Sequence, residues 1–442
     1  MLRSTLPVLG NMLDMARNSH RLLDWLVDCC REFDNNPWKR RIPGQPEMIF
    51  FSSPDAMEEI TTTQFENFET GEVQIEMIEG LFGRGLASDG ERWYHQRKTA
   101  VKFFSARSLR AFMTKSMHKN LEQAQESETL VDLKKLFHEF TLQTFVEMGL
   151  GINLDWIGSE NPHPFQKAID TASPLLVRRF RRPRWLWKLE RWLNIGPEAT
   201  FASSMKIVHA WLHEVLEQSL TETVSNKKKA MDYLDDEEIK SVVELFVQSS
   251  RDDADGIRSE DLVDFLLTFV IAARDTTAVT LSWLFYELGQ YPRVVKALQD
   301  EMTSRLPANI VDNKAAYLTT DHTRNLTYLE ATLKEVLRLH PAATTTVKQA
   351  VRDTVVCGDV PVYKGQLVLL GAYAMARSPH VWGEDAAEFK PERWINATTG
   401  ELLQFPAAKF FSFHVGPRTC IGMNLARRDC QLAASFPLRN RP

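Results

Sequence analysis

Cysteine is scarce in this chain of 442 residues, and the five cysteines are irregularly spaced. Cys29 and Cys30 are adjacent, and no Cys-x-x-Cys pair with the spacing of a zinc site occurs. The remaining three are Cys357, Cys420 and Cys430. The pattern excludes a disulfide framework and a zinc knuckle, and these thiols suit a reducing compartment that faces the cytosol.

An excess of positive charge is also lacking, because the formal net charge is -5 and the isoelectric point is near 6.2. Nucleic-acid-binding proteins usually show a basic footprint, so the sequence predicts no nucleic-acid partner. Long apolar runs are missing too. The run FLLTFVIAA covers only nine residues, 265–273, whereas a membrane span needs about 20. No secretory signal and no internal repeat are visible.

What the sequence does contain is ordinary globular composition, with 44% hydrophobic and 25% charged residues. The length suits one large domain or two to three smaller ones. Most segments have the apolar spacing of helices, for example over 11–33. Strands are predicted near both ends, in 47–60 and in 360–370, where Lys364 and Gly365 indicate a hairpin turn. We therefore expect a mainly α chain with a small sheet shared by early and late segments, and a helix start near Ser53 or Asp55.

One predicted helix, over 262–288, is apolar on most of its faces, as is typical of a helix in the middle of a large protein. Its centre nevertheless carries four polar residues in a row, namely Arg274, Asp275, Thr276 and Thr277. Buried polar groups cost free energy unless they are satisfied. The pattern indicates either a functional site or a hydrogen-bonded kink.

Cys420 stands at the predicted start of a late helix, in the stretch FHVGPRTCIG. A sulfur at a helix N-terminus is favoured as thiolate by the helix dipole. Arg418 supplies a cation and Phe413 an aromatic ring, while Gly416 and Gly422 allow a flat group to come close or a positive φ. A thiolate, a cation and a flat apolar neighbour together indicate a heme site, with Cys420 on the iron and Arg418 on a propionate. The alternative is a buried structural cysteine.

Two further patterns place charged groups on helix faces. Glu335 and Arg338 are i and i+3, so they can pair, and Arg393 in PERW can close a network of three. The alternative is an exposed pair that contributes little. Trp93 and Arg97 are four residues apart, so an indole N–H and a guanidinium can both reach an anion. The alternative there is an exposed amphipathic helix.

These motifs occur in the order WYHQR, AARDTT, EVLR, PERW and FHVGPRTCIG. In that order and at that spacing the chain resembles the cytochrome P-450 family of heme-thiolate monooxygenases. The resemblance implies a mainly α fold with small β-sheets, the cytochrome P-450 fold, in which one large helical domain carries a small β-rich lobe. It implies a single domain over 1–442.

The resemblance also implies the cofactors: heme b (iron protoporphyrin IX) with a Cys thiolate as axial ligand, O2, and electrons from NADPH through a reductase. It assigns roles to residues of this chain. The axial ligand is Cys420, the propionates are held by Trp93, Arg97 and Arg418, the structural triad is Glu335, Arg338 and Arg393, and protons are relayed by Asp275 and Thr276.

Several stretches, among them QRKTAVKFFS and WGEDAAEFKPERW, look like the eukaryotic branch that hydroxylates fatty acids and alkanes. This implies a hydrophobic small-molecule substrate and the cytosolic face of the endoplasmic reticulum membrane. The chain departs from the family at Ala273, where a Gly is usual. We expect that it lacks the membrane anchor and the usual C-terminal strands, and that SFPLRNRP breaks the last helix.

Three readings of function remain open. The chain is a reductase-dependent monooxygenase that inserts oxygen into an unactivated C–H bond, a truncated heme-binding remnant without activity, or a peroxide isomerase or dehydratase. The last needs no proton relay, so Asp275 and Thr276 argue against it. The basic and aromatic stretch at 178–192 predicts peripheral membrane contact through Trp185, Trp187 and Trp192, or a helix packed with its basic face in water.

Overall fold

The computed structural model describes residue 2 and residues 4–83, 89–104, 130–150, 162–229, 259–311 and 320–440. Within these ranges helices dominate, which confirms the expectation of a mainly α chain with small sheets. The α-helices are α1 (Met12–Arg17), α2 (Leu22–Glu32), α3 (Pro54–Glu58), α4 (Glu72–Phe82), α5 (Gly90–Phe104), α6 (Leu133–Leu150), α7 (Pro164–Arg179), α8 (Arg184–Leu193), α9 (Gly196–Lys229), α10 (Ser259–Gln290), α11 (Pro292–Arg305), α12 (Ala308–Val311), α13 (Thr320–Thr323), α14 (Thr327–Leu339), α15 (Ala372–Ala376), α16 (Pro379–Trp382) and α17 (Met423–Asn440).

The strands form two small sheets. They are β1 (Trp38–Arg40), β2 (Met48–Phe51), β3 (Phe68–Glu69), β4 (Thr346–Ala350), β5 (Thr354–Val356), β6 (Val360–Val362) and β7 (Leu367–Leu370). The larger sheet has the order β1-β2-β7-β4-β3, and the smaller one pairs β5 with β6. Strands from both ends of the chain thus share one sheet, as the sequence predicts.

The centre of the larger sheet is the parallel pair of β2 and β7, in which Phe50 lies opposite Leu369. All four residues of each strand are buried, as expected for strands covered on both faces. The predicted hairpin at Lys364 and Gly365 is wrong, because β6 pairs with β5 whereas β7 pairs with β2 and β4. Gly365, with a φ of +82°, turns the chain from one sheet to the other.

The contacts divide the chain into two compact units. The first contains residues Met1–Met77, Leu175–Ala199 and Thr327–Cys420. The second contains residues Ile78–Pro174, Thr200–Leu326 and Ile421–Pro442. Both sheets and the whole of α14 belong to the first unit, and α6 and α10 belong to the second.

Helix α10 confirms the long apolar helix and extends it by three residues at the start and two at the end. It packs along α6, where Phe137 and Phe285 stack with ring centroids 5.3 Å apart. The helix predicted over 11–33 is broken by a 3₁₀ turn, Ser19–Arg21, into α1 and α2. Ser53 caps α3, since its Oγ accepts a hydrogen bond from the Ala56 N–H at 3.3 Å.

Helix α17 begins at Met423, so the prediction that a helix starts at Cys420 places that start three residues too early. The predicted break at SFPLRNRP is also wrong, because α17 continues through Pro437 to Asn440. The 3₁₀ turns before it leave Cys420 in a loop. No helix in the described ranges is long and apolar enough to cross a membrane.

Candidate active site

A tight loop carries Cys420 in the first unit. Two 3₁₀ turns, Phe411–Phe413 and Gly416–Arg418, precede the cysteine. The Cys420 N–H donates to the Phe413 carbonyl at 2.9 Å, and the Thr419 N–H donates to the Gly416 carbonyl at 3.0 Å. The side chain of Cys420 lies at the surface of the chain. Because the backbone around it is closed by these bonds, the sulfur is presented outward from a fixed base.

Gly416 is required by the shape of this loop. Its φ is +72°, and a Cβ at this position would lie 2.2 Å from the carbonyl oxygen of Thr61. Thr61 belongs to a π-helical turn, Glu59–Thr63, on which the loop rests. The positive φ predicted for Gly416 is confirmed, and its close neighbour is this turn; the approach of a flat group stays a prediction. Gly422 has no positive φ, and its carbonyl, just before α17, accepts the Ala426 N–H at 2.9 Å.

His414, which sequence reasoning overlooked, is a strained residue of the same loop. Its φ of 62° and ψ of -178° lie in a region that side chains rarely adopt. The pKa of its imidazole is lowered to about 4, chiefly by burial, and repulsion by Lys348 and Arg418 contributes to this lowering. Lys348 is itself buried on β4. Two cations thus lie near the Cys420 loop, and this charge suits the carboxylates of a bound group.

The structure brings Glu335, Arg338 and Arg393 together, also in the first unit. The Nε and Nη2 of Arg338 donate to the two oxygens of Glu335, both at 2.8 Å. The Nε of Arg393 donates to Oε1 of Glu335 at 3.3 Å, and the indole N–H of Trp394 donates to Oε2 at 2.9 Å. Each carboxylate oxygen of Glu335 is therefore held by at least two donors in a water-free position.

Backbone carbonyls complete the coordination of these arginines. Arg338 donates to the carbonyl of Ala376 at the end of α15 and to the carbonyls of Ala386 and Glu388 in the segment before PERW. Arg393 donates to Asp385, and this pairing holds the pKa of the Asp385 carboxyl at about 2. These hydrogen bonds therefore fix the backbone between α15 and PERW. The sequence alone did not predict the conformation of that segment.

The network reaches the Cys420 loop through packed side chains. Trp394, held by Glu335, packs edge-on against Phe410 at 4.9 Å between ring centroids. The hydroxyl of Ser412 donates to the carbonyl of Leu337 on α14 at 2.8 Å. Phe413 meets Phe410 at 6.4 Å. The loop is therefore anchored to the same helix that carries Glu335 and Arg338.

The four polar residues at the centre of α10, residues 274–277, are called the polar island here. In the second unit their side chains do not all point the same way. The Thr276 side chain is exposed, and its hydroxyl donates to the carbonyl of Ala272 one turn earlier at 2.7 Å. The Asp275 carboxylate faces the other way and accepts from Nη1 of Arg274 at 2.7 Å. Among the residues described here, no hydrogen bond joins Asp275 to Thr276. Neighbouring residues on a helix do not face each other, so this separation is expected.

Burial raises the pKa of the Asp275 carboxyl above its ordinary value, and the nearby Arg274 guanidinium opposes part of that rise. Arg274 is buried, and its Nη2 donates to Asp170 on α7 at 2.6 Å. The carbonyl of Arg274 also accepts the hydroxyl of Thr141 on α6 at 2.9 Å. The hydrogen-bonded part of the island is thus a junction of three helices, and α10 runs through it without interruption.

Trp93 and Arg97 lie together on α5, as their spacing predicts. The guanidinium carbon of Arg97 is 5.8 Å from the centroid of the Trp93 ring, within the range of a cation–π contact. Both side chains are half-buried. The contact with the Trp93 ring restricts where the Arg97 guanidinium can point. A guanidinium held in this way suits a site that receives an anionic group.

The residues present fit a heme. Within the described ranges, no three His, Cys, Asp or Glu side chains are placed to hold a metal ion among themselves. A porphyrin supplies four of the ligands of its iron, so the protein needs to offer one donor, and an outward Cys420 thiol provides it. Within the first unit, Arg418 and Lys348 are the cations near the Cys420 loop that suit an anionic group.

Comparison with known proteins agrees with this chemistry. The family model of cytochrome P450 matches residues 2–440. Cytochrome P450 704B1 of Arabidopsis thaliana is 31% identical over 98% of this chain and 88% of its own length. Cytochrome P450 monooxygenase cyp1 of Mycosarcoma maydis is 30% identical over 95% of this chain and 66% of its own. Noroxomaritidine synthase of Narcissus aff. pseudonarcissus is 30% identical over 89% of this chain and 76% of its own.

Proposed function

The chain belongs to the cytochrome P450 family, and we propose that within this family it hydroxylates a long-chain fatty acid or an alkane-like lipid. Members of the family are monooxygenases, oxidoreductases that insert one atom of O2 into a substrate. The observation that carries the proposal is the outward Cys420 thiol on its closed loop, since that donor decides which chemistry is possible. The stretches QRKTAVKFFS and WGEDAAEFKPERW support the lipid substrate by resemblance.

Cys420 is the residue that would ligate the iron as thiolate. When bound, heme supplies the center at which dioxygen is activated, and a thiolate ligand favours cleavage of the O–O bond. Arg418, Lys348, Trp93 and Arg97 would hold the propionates. Phe413 fixes Cys420 through its carbonyl, and Gly416 seats the loop on the turn of Thr61.

Asp275 and Thr276 are proposed to move protons. O–O cleavage consumes protons, and Thr276 offers an exposed hydroxyl on the central helix. The raised pKa of Asp275 makes its carboxyl able to hold a proton closer to neutral pH than an ordinary aspartate can. Glu335, Arg338 and Arg393 are proposed to be structural, because their contacts lead to the Cys420 loop.

Electrons are proposed to come from NADPH through a separate reductase. The family model covers residues 2–440, and this coverage supports treating 1–442 as a single catalytic domain. No part of that span resembles a flavin or nicotinamide domain. Dependence on an added reductase therefore distinguishes this proposal from a peroxide isomerase or dehydratase, which needs none.

The first experiment is the carbon monoxide difference spectrum of the purified, reduced protein. We expect the strongly red-shifted Soret band of a thiolate-ligated heme, and Cys420→Ser should abolish it. Cys430→Ser is the matched control, because that thiol is buried on α17 and should leave the band unchanged. A Soret band typical of a neutral ligand in the wild type would support the inactive remnant.

The second experiment supplies reductase, NADPH and saturated fatty acids of increasing chain length. Hydroxylated product that requires both NADPH and reductase is the expected result. Turnover of a fatty-acid hydroperoxide without reductase would favour the isomerase reading. A panel of compact apolar compounds without a long alkyl chain is the comparison substrate, and a preference for these compounds would overturn the lipid proposal.

We further propose that α8 touches a membrane surface, at the cytosolic face of the endoplasmic reticulum. Trp185 and Trp192 are 63% and 80% exposed, and Leu189 and Leu193 lie on the same helical face. The expectation for Trp187 is wrong, because this ring is 1% exposed and packs under Arg179 at 5.0 Å. It faces the protein because it lies opposite that exposed stripe.

Arg191 is exposed on α8 and favours anionic lipid, whereas Lys188, beside the exposed stripe, pairs with Glu76 at 2.6 Å. Flotation with vesicles of phosphatidylcholine, with and without phosphatidylserine, tests this contact. Trp192→Ser should reduce binding to the anionic vesicles several-fold, whereas Trp283→Ser, at an exposed tryptophan of α10, should not. Equal loss in both variants would contradict the assignment of the surface to α8.

A further inference from the structure

Glu76 on α4 is paired with two cations of α8, and all three residues lie in the first unit. Its Oε2 accepts hydrogen bonds from Nε of Arg184 at 2.8 Å and from Nη2 of the same guanidinium. Its Oε1 lies 2.6 Å from Nζ of Lys188. Burial alone would raise the pKa of the Glu76 carboxyl, but the hydrogen bonds from Lys188 and Arg184 outweigh it and hold that pKa below its ordinary value. Glu76 is therefore ionised at neutral pH, and it compensates only one of the two positive charges.

The two cations border the exposed stripe of α8. Arg184 and Lys188 are i and i+4, so their side chains leave the helix on the same side. Each is followed in the sequence by a residue of the stripe, Trp185 and Leu189 respectively. A helix that lies in a membrane interface by such a stripe places its flanking side chains at the level of the lipid headgroups. The two cations and their partner Glu76 therefore reach that level together.

The arrangement that holds Glu76 also fits the phosphodiester of a lipid. A carboxylate and a phosphodiester each carry one negative charge shared by two oxygen atoms, and a guanidinium pairs with either group. The ammonium of Lys188 then takes the second oxygen, as it does with Glu76. The carboxylate of Glu76 thus lies where a headgroup phosphate would bind.

This ion pair is open to exchange because it lies at the surface. The side chains of Glu76, Arg184 and Lys188 are 24%, 34% and 44% exposed. Ion pairs with this exposure contribute little to stability, so breaking one costs little. An anionic membrane surface attracts each nearby cation and repels a carboxylate at the same level. Both effects favour the replacement of Glu76 by a lipid phosphate.

A second contact of the same segment is buried and does not exchange. Nε and Nη2 of Arg179 donate to the two oxygens of Glu198 at 2.9 and 2.7 Å, and Nη1 donates to the carbonyl of Met77 at 3.0 Å. The guanidinium carbon of Arg179 lies 5.0 Å from the centroid of the Trp187 ring, on the buried side of α8. The exchange at Glu76 therefore changes the partner of two surface cations and leaves the buried side of the helix in place.

We propose that Arg184 and Lys188 form a binding site for the phosphodiester of one anionic lipid, and that Glu76 occupies this site until the chain meets an anionic membrane. The lipid then replaces Glu76, and the Glu76 carboxylate turns to water. The inference rests on the proposed membrane contact of α8, and it makes that contact selective for anionic lipid.

A carbodiimide cross-link reads this contact directly, because it joins a carboxylate and an amine that touch. In the wild-type chain, mass spectrometry should find the amide between Glu76 and Lys188, and vesicles of phosphatidylglycerol should lower its yield several-fold. Vesicles of phosphatidylcholine, whose phosphate is compensated by choline, should leave the yield unchanged. The pair of Asp385 and Lys390, at 2.9 Å in the same unit, is the matched control and should keep its yield with both lipids.

An unchanged yield of the Glu76 cross-link on phosphatidylglycerol vesicles overturns the proposal. An equal loss with soluble glycerol phosphate, at the same phosphate concentration, also overturns it, since the site would then take a free phosphate and need no membrane. Failure of the proposed α8 contact has a different signature, because Trp192→Ser would then bind anionic vesicles as well as the wild type does. In that case the cross-link still decides whether lipid reaches Arg184 and Lys188.

Glu76→Gln tests the same competition by removing the internal carboxylate. Its amide is neutral, so Arg184 and Lys188 become available to lipid, and flotation should show a several-fold rise in binding to phosphatidylglycerol vesicles. Glu72→Gln, at an exposed carboxylate one turn earlier on α4, changes the net charge by the same amount and is the matched control. An equal rise in both variants would show an effect of net charge alone and would contradict a site at Glu76.

Discussion

Arg338 in the first unit and Arg274 in the second are both buried, but their positive charges are compensated in different ways. Their side chains are almost equally buried, and each pairs with carboxylates. Arg338 reaches both oxygens of a fully buried glutamate and three backbone carbonyls. Arg274 pairs with two carboxylates, one of them 60% exposed, and its Nε has no hydrogen-bond partner within the described ranges.

The partners of Arg338 are fixed, whereas the partners of Arg274 can change their position or their protonation. Every partner of Arg338 is held by backbone or by another buried side chain, so that network has one arrangement. Asp170 can leave Arg274 for water at little cost, and Asp275 can accept a proton. A buried charge network with a titratable, partly exposed member is suited to passing protons, whereas a saturated network is suited to holding a loop in place.

The largest effect on stability is expected when the network of Arg338 is disrupted. Glu335→Gln leaves Arg338 and Arg393 buried without their carboxylate, which should lower the free energy of unfolding by about 3–5 kcal/mol. Urea denaturation measures the loss. Lys296→Ala is the control, since its pair with Asp300 is exposed and should change stability by less than about 0.5 kcal/mol. Equal small losses in both variants would contradict a structural network.

A smaller loss of stability is expected from a substitution of Arg274. Arg274→Gln removes the cation between two carboxylates, but Asp275 can then take up a proton and Asp170 can turn to water. We expect the free energy of unfolding to fall by about 1–2 kcal/mol at neutral pH. A loss as large as that of Glu335→Gln, in the same urea measurement, would remove the distinction between the two arginines.

The pH dependence of stability sharpens the comparison. The pKa of Asp275 is raised in the folded chain, so the folded state holds its proton more tightly than the unfolded state does. The stabilisation is complete below the unfolded value of 3.8 and is lost as pH rises through the folded pKa. Relative to Asp275→Asn, the wild type should therefore lose stability with rising pH. A constant difference between the two urea midpoints would show an unshifted carboxyl.

The smallest effect is expected from Asp170→Asn. Because Asp170 is mostly exposed, the loss of its pair with Arg274 should change the free energy of unfolding by less than about 0.5 kcal/mol. The pKa of Asp275 should fall, since Asp170 raises it and Arg274 is freed to act on Asp275 alone. A pH titration of the chain labelled with carboxyl-¹³C aspartate, with the Asp275 resonance identified by Asp275→Asn, measures that change, and a rise in this pKa would contradict it.

Periodicity and motif spacing predicted the long helix α10, the mixed strands at both ends and the neighbours Trp93 and Arg97. These features are local, or rest on residues within one helical turn of each other. The i and i+3 pairing of Glu335 and Arg338 is of the same kind. A single sequence shows such contacts directly, because both partners lie within a few residues of each other.

Long-range contacts could not be read in this way. His138 and Asp170 reach Asp275 and Arg274 only because α6 and α7 pack against α10, and neither histidine nor aspartate is unusual on an amphipathic helix. Lys364 and Gly365 show a turn, but strand partners are chosen by burial of β6 and β7 in different sheets. His414 adopts a positive φ, a region that favours glycine, and no local sequence pattern predicts this strain.

The parallel pairing of β2 with β7 has a consequence for how the protein is made. Residues Met48–Phe51 leave the ribosome about 15–60 s before their partners Leu367–Leu370, at the usual rate of about 5–20 residues per second. Throughout that interval the four apolar residues of β2 lack their central neighbour, and an unpaired apolar strand edge attracts other chains. Soluble yield should therefore depend on chaperone supply and translation speed, because the first unit closes its sheet only when the last quarter of the chain arrives.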